Sequence, residues 1–194
     1  HATGALTLAV GDQLDATIRA HLAPQDPLTR YERSRILNKT RDLLDSRRDE
    51  FARLITAEAG LCLRETRYEV GRACDVFSFA AMEALRDDGQ TFSCDISPAG
   101  KARKIFTLRE PLSLIAAITP FNHPLNQVAH KLAPAIAAGA PLILKPSEKT
   151  PLSALYLADV LYEAGLPPEM LQVVTGDPRE IADELITNEH IDMV

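Results

Sequence analysis

Three polar segments of this 194-residue chain concentrate the side chains capable of ligand chemistry: Thr119-Pro-Phe-Asn-His-Pro124, Lys145-Pro-Ser-Glu-Lys-Thr150 and Thr175-Gly-Asp-Pro-Arg179. Each follows a short apolar run, so each sits where a buried strand ends. A carboxylate in such a place accepts hydrogen bonds from both hydroxyls of an adenosine ribose, and Glu148 is the acid at the second strand end. It would also repel a 2′-phosphate, which favours NAD over NADP. Lys145 is spaced to donate to the same ribose or to a phosphate. The same two residues equally fit a solvated loop pair beside a strand. What is missing is a Gly-x-Gly-x-x-Gly turn to cradle a pyrophosphate, because the first segment carries Pro120 and Pro124 instead. Spacing alone leaves the cofactor open.

The elements that must position these segments are readable from periodicity. Apolar runs at 112–118, 141–144, 171–174 and 191–194 read as buried strands, and 124–138, 151–164 and 179–186 as the helices between them. Gly139 and Gly165 fall where helices stop, and Pro151 where one starts. Alternation of this kind predicts right-handed βαβ units in a parallel sheet, with the three polar segments lining one crevice. Upstream, 12–85 reads as helical with interruptions at Pro24, Pro27 and Gly60. Within it, 28–44 is amphipathic, with Ile36, Leu37, Leu43 and Leu44 apolar, and 64–85 repeats Val70, Ala73, Cys74, Phe77, Ala81 and Ala84 at helical steps. Between 91 and 110 the period falls to two: Phe92, Cys94 and Ile96 alternate, Pro98-Ala-Gly100 turns, and Ile105, Thr107 and Arg109 form a second extended run. That pattern predicts a β-hairpin. The expected division is a helical part at 1–90, a hairpin at 91–110 and an α/β, Rossmann-like unit with flanking helices at 111–194. The run at 191–194 opens a strand without the turn and helix that would cover it, which leads us to expect a larger, truncated protein.

Composition narrows the function classes. With 46% hydrophobic and 25% charged residues, the chain falls in the ordinary globular class. A net charge of -6 argues against a nucleic-acid partner. No run approaches the roughly 20 apolar residues of a membrane span, and no secretory leader is legible. Cys62, Cys74 and Cys94 are spaced for neither a zinc site nor a disulfide framework. No metal is expected, and a reducing, cytoplasmic setting is the default.

Pro120-Phe-Asn-His-Pro124 resembles the Pro-aromatic-Asn-x-Pro signature of the aldehyde dehydrogenase superfamily, and Lys145-Pro-Ser-Glu148 resembles its Lys-Pro-(Ser/Ala)-Glu signature. The order of strands, turns and helices is the same, and the resemblance covers nearly the whole chain. It implies NAD-dependent oxidation of a small aldehyde to an acid through a thiohemiacetal and a thioester on a cysteine. Asn122 then matches the amide that donates to the oxyanion; on its own it reads as a turn residue capping the next helix. Thr119, Pro120, Lys145, Ser147 and Glu148 form the candidate cofactor-binding set with Gly176, whose turn borders the adenine pocket. The hairpin implies self-association as a homodimer or homotetramer. Within the superfamily, the wording of the first two turns is most similar to the phosphonoacetaldehyde dehydrogenases, in which a cationic cluster binds the phosphonate. On that likeness Arg72 and His123 are candidate substrate-binding residues. Arg72 equally fits an ion pair with Glu69 one helical turn away, and His123 a plain turn residue.

The family's nucleophilic cysteine and general-base glutamate match no position in this sequence, and the resemblance places both beyond residue 194. Cys74 lies on an apolar helical stripe and Cys62 between Leu61 and Leu63, so both read as packing residues, while Cys94 falls in the hairpin. A reading from a different class is a non-catalytic nucleotide-binding or assembly module, if the polypeptide stops at 194.

Overall fold

The computed structural model describes residues 14, 16–19, 27–86 and 89–194. Thr29 opens helix α1 (Arg30–Ser46): its hydroxyl accepts from the Glu32 amide at 3.2 Å while the Glu32 carboxylate accepts from the Thr29 amide at 2.8 Å. This reciprocal cap fixes where the helix begins. A single non-helical residue, Arg47, separates α1 from α2 (Arg48–Ala59), which ends at Gly60 with φ 72°; α3 (Leu63–Glu83) follows. The helical region expected over 12–85 is therefore three helices from residue 30 onward, and the break at Arg47 carries no proline or glycine to announce it. Its first part lies largely outside the described residues, where 16–19 are helical.

The hairpin forms from β1 (Thr91–Ser93) and β2 (Lys104–Phe106), antiparallel, with Phe92 opposite Ile105. Its strands are shorter than the alternation predicts and all six residues are exposed. Gly100 in the connecting turn is required by a close approach, since a Cβ there would collide with the Cys94 carbonyl.

Three parallel strands, β3 (Ile115–Ile118), β4 (Leu142–Lys145) and β5 (Leu171–Val173), make a sheet in the order β3-β4-β5. The expected fourth strand at 191–194 narrows to a parallel bridge on the other edge of β3. There the Ala116 amide donates to the Met193 carbonyl at 2.9 Å, and the Asp192 amide to the Leu114 carbonyl at 3.0 Å. The first strand thus lies inside the sheet.

Side-chain alternation splits the sheet into two faces. Ala117, Leu142, Leu144 and Leu171 meet α4 (Asn126–Ala138) and α5 (Leu152–Ala164) through Leu132, Ile136, Leu157 and Leu161. Helices α1 to α3 share this core through Leu37, Leu44, Phe51, Ile55, Val70 and Phe77. A right-handed connection from β5 back past β3 must cross the opposite face. Helix α6 (Pro178–Thr187) does so, packing Ile181 and Leu185 on Leu114, Ala116, Ile143 and Val174, with Leu14 and Ile18 beside them. Covered on both sides, the strands need no polar face, which is why they read as continuous apolar runs. Gly139 (φ 84°) and Gly165 (φ 107°) close α4 and α5 in the left-handed conformation, as their positions predicted.

Leu132 is fully buried where α4 meets this core. Truncating it to Ala lowers the unfolding free energy by about 2–5 kcal/mol, whereas Leu132→Met costs less than about 1.5 kcal/mol. Urea denaturation of the two variants checks the contrast.

Candidate active site

Strand register brings the three polar turns to one edge of the sheet. The Thr119 amide donates to the Lys145 carbonyl at 3.1 Å, and the Val174 amide to the Leu144 carbonyl at 2.8 Å. Lys149 Nζ stands 4.5 Å from the centre of the Phe121 ring, a cation–π contact between the first and second turns. Because β3 has neighbours on both sides and the chain crosses opposite faces to reach them, the 119–124 turn occupies the topological switch point, where an open α/β sheet forms its crevice.

The helices leaving the first two turns begin without caps of their own, and the helical layer supplies them. Helix α4 starts after Leu125 with no side-chain cap. The carboxylate of Glu69 on α3, almost fully buried, accepts through Oε1 from the Leu125 amide at 2.9 Å and the Asn126 amide at 3.0 Å. Glu58 of α2 does the same for α5, accepting from the amides of Leu152 at 2.8 Å and Ser153 at 3.0 Å. Helix α6, at the third turn, is capped by Asp177, which accepts from the Arg179 amide at 2.9 Å; that hydrogen bond holds its carboxyl below the usual range. All three helix starts at this edge therefore face protein carboxylates, in the position where a glycine-rich turn would present a phosphate. The missing Gly-x-Gly-x-x-Gly pattern has a physical counterpart.

This arrangement corrects the helix-capping alternative for Asn122. Its exposed side chain makes no hydrogen bond among the described residues, and α4 begins at Asn126 rather than at Pro124. The sequence patterns assign neither Glu69 nor Glu58 to a helix start. A signal existed for Glu69, which lies between Thr66 and Ala73 on the buried stripe of α3, where an acid requires a buried partner.

In the second turn, Lys145 is buried and its Nζ donates to the Pro146 carbonyl at 3.3 Å and to Glu148 Oε2 at 3.4 Å. An ammonium has three donors, so one remains for a ligand oxygen. Glu148 is exposed; a hydrogen bond from its own backbone amide, and then the Lys145 charge, hold its carboxyl below the ordinary glutamate range. A charged acceptor facing solvent beside a donor with spare capacity fits a ribose diol. Ser147 is buried and accepts from the Lys149 amide at 3.2 Å, closing the turn. The buried Thr119 hydroxyl makes no hydrogen bond with any described residue. Pro120 is exposed at the mouth, and Gly176 is partly exposed in the turn before α6.

The two substrate candidates are placed differently. The His123 ring is 58% exposed, with Nδ1 3.6 Å from Glu69 Oε2. Arg72 is exposed one turn along α3 from Glu69, and no ion pair joins the two, because Glu69 turns inward to α4. Arg72 lines a groove of about 550 Å³ with Arg48, Tyr68, Asp75, Phe79 and His130. Among the described residues no hydrogen bond or ion pair links it to His123 or Asn122.

The three cysteines are free. Burial pushes the Cys74 thiol up to about 11, which leaves it protonated and unreactive at neutral pH. Among the described residues no group of His, Cys, Asp and Glu could hold a metal ion, and no helix is long and apolar enough to cross a membrane.

Comparison with known proteins agrees with this geometry. Residues 5–194 match the family model described as the aldehyde dehydrogenase family. A 3-sulfolactaldehyde dehydrogenase from Priestia aryabhattai is 43% identical over 189 residues, covering 97% of this chain and 40% of that protein. An aldehyde dehydrogenase from Physcomitrella patens, solved with its reaction product succinate, superposes with a TM-score of 0.87 at 34% identity, over 95% of this chain and 39% of that one. An NAD-dependent aldehyde dehydrogenase from Sinorhizobium meliloti gives a TM-score of 0.87 at 32% identity, over 96% and 38%. The chain thus spans about 40% of the length of the curated relative. Matched along nearly its whole length in sequence and in fold, the chain belongs to the aldehyde dehydrogenase family.

Proposed function

We propose that this chain is the cofactor-facing portion of an enzyme that oxidises a small anionic aldehyde to its acid with NAD. The reaction runs through a thiohemiacetal and a thioester on a cysteine that lies outside residues 1–194. The observation that carries this reading is the exposed Asn122 amide, which bonds to no described residue because Glu69 caps α4 in its place, at the switch-point crevice beside Lys145 and Glu148.

In this reading Lys145 and Glu148 hold the adenosine ribose of NAD, Thr119, Pro120 and Ser147 shape the crevice around the dinucleotide, and Gly176 borders the adenine. NAD supplies the hydride acceptor. Asn122 donates to the oxygen that becomes negative when the thiolate attacks. Because that charge develops only in the transition state, the donor lowers the barrier rather than the ground state.

Two relatives support an anionic substrate: one is named for a sulfonate aldehyde, and the other was solved with a dicarboxylate product. The likeness of the turns to phosphonoacetaldehyde dehydrogenases alone narrows this proposal to an aldehyde such as phosphonoacetaldehyde, gripped by Arg72 and His123. Arg72 offers a bidentate guanidinium. Exposed Phe92, Ile105 and Phe106 on the hairpin support self-association into a dimer or tetramer. Three free cysteines accord with a reducing, cytoplasmic setting.

Steady-state assays on the full-length gene product test these assignments. Asn122→Ala lowers kcat by about 10²–10³-fold while the protein remains folded, and no NADH formation with any small aldehyde, phosphonoacetaldehyde included, would sink the whole reading. Glu148→Gln weakens NAD and improves NADP, and an unchanged cofactor preference removes Glu148 from the ribose site. Arg72→Ala raises KM for phosphonoacetaldehyde far more than for a neutral aldehyde of the same size; equal effects assign the arginine a structural role.

A further inference from the structure

Glu69 is only half used by the cap it provides. Oε1 takes both amides of α4, whereas Oε2 is buried and makes no hydrogen bond with any described residue. An unsatisfied oxygen on a buried carboxylate is costly, so a second partner is expected at that atom. His123 Nδ1 faces it at 3.6 Å, from a ring that is more than half exposed at the Asn122 turn. That separation is within ion-pair range and just beyond an N–H···O hydrogen bond.

We infer that Glu69 is a positioning residue for the anionic substrate: its second oxygen holds His123 by Nδ1, so that Nε2 points outward from the Asn122 turn to donate to the substrate's anionic group. The inference rests on the reading of an anionic aldehyde substrate. An imidazole donates from both nitrogens only as the imidazolium, so the working state is a cation between two anions, the buried carboxylate and the bound substrate. Glu69 then serves both halves of substrate recognition. One oxygen fixes the helix whose lead-in turn carries the oxyanion donor, and the other orients the side chain next to it in sequence.

A glutamine separates the two roles. Its carbonyl oxygen still accepts from the α4 amides, while its NH₂ presents donors to Nδ1 and removes the charge. The test uses the full-length gene product as Glu69→Gln, His123→Gln and the double variant, assayed with phosphonoacetaldehyde and with propanal. We expect Glu69→Gln and His123→Gln each to raise KM for phosphonoacetaldehyde about tenfold more than for propanal. The double variant is then no worse than His123→Gln alone, because the two residues act as a unit.

Equal KM effects of Glu69→Gln on both aldehydes, or effects that multiply in the double variant, would overturn the role of Glu69 while leaving the anion preference of the wild type in place. A wild type that does not prefer phosphonoacetaldehyde to propanal overturns the substrate reading, and this inference with it. If Glu69→Gln does not accumulate as folded protein, Glu69→Asp replaces it. Asp keeps the charge but draws both oxygens back by one methylene, from His123 as well as from the amides, and the same two-aldehyde comparison decides.

Discussion

Two carboxylates reaching from one layer into another tie this structure together. Every helix start leaves amide groups without intrahelical partners, and neither Leu125 nor Pro151, the residues that precede α4 and α5, offers a side chain to accept from them. Glu69 and Glu58 provide the acceptors from α3 and α2. The helical layer and the sheet unit are thus joined by polar contacts as well as by a common apolar core. The same carboxylates occupy the positive ends of the helices, which leaves ligand recognition to the side chains of the turns.

Those turns divide the work by burial. Lys145 is enclosed and meets the exposed Glu148 at the surface, so the ion pair spans the boundary between protein and crevice. A fully solvated pair of this spacing would contribute little, but in this turn the lysine end is fixed by its surroundings and by the Pro146 carbonyl. The glutamate end remains free to exchange a water for a ligand hydroxyl.

Much of this architecture was legible in the sequence because it follows local rules. The apolar runs, the glycines at 139 and 165 and the shift to period two near residue 91 marked strands, helix ends and hairpin from one-dimensional spacing alone. What escaped depends on contacts between elements distant in sequence. The break at Arg47 has no breaker residue. Helical spacing pairs Glu69 with Arg72, its neighbour on the same helix, whereas the carboxylate reaches across 56 residues to the start of α4. Asn122 reads equally as a cap or as a free donor, and the residue that displaces it from the cap lies outside its own turn. The hairpin strands are exposed along their whole length among the described residues, and a two-stranded ribbon holds little pairing by itself.

The central strand carries one further consequence. Ala116 enters one core and its neighbour Ala117 enters the other, both buried. Any larger side chain at either place pushes a whole helix layer outward, a misfit of about 1–3 kcal/mol. Inherited change in this chain is therefore freest at exposed helix positions away from the turns, and narrows sharply at the buried alanines of β3. The turn that bears Asn122 continues directly from that strand, so the oxyanion donor hangs from the part of the molecule with the least freedom to drift.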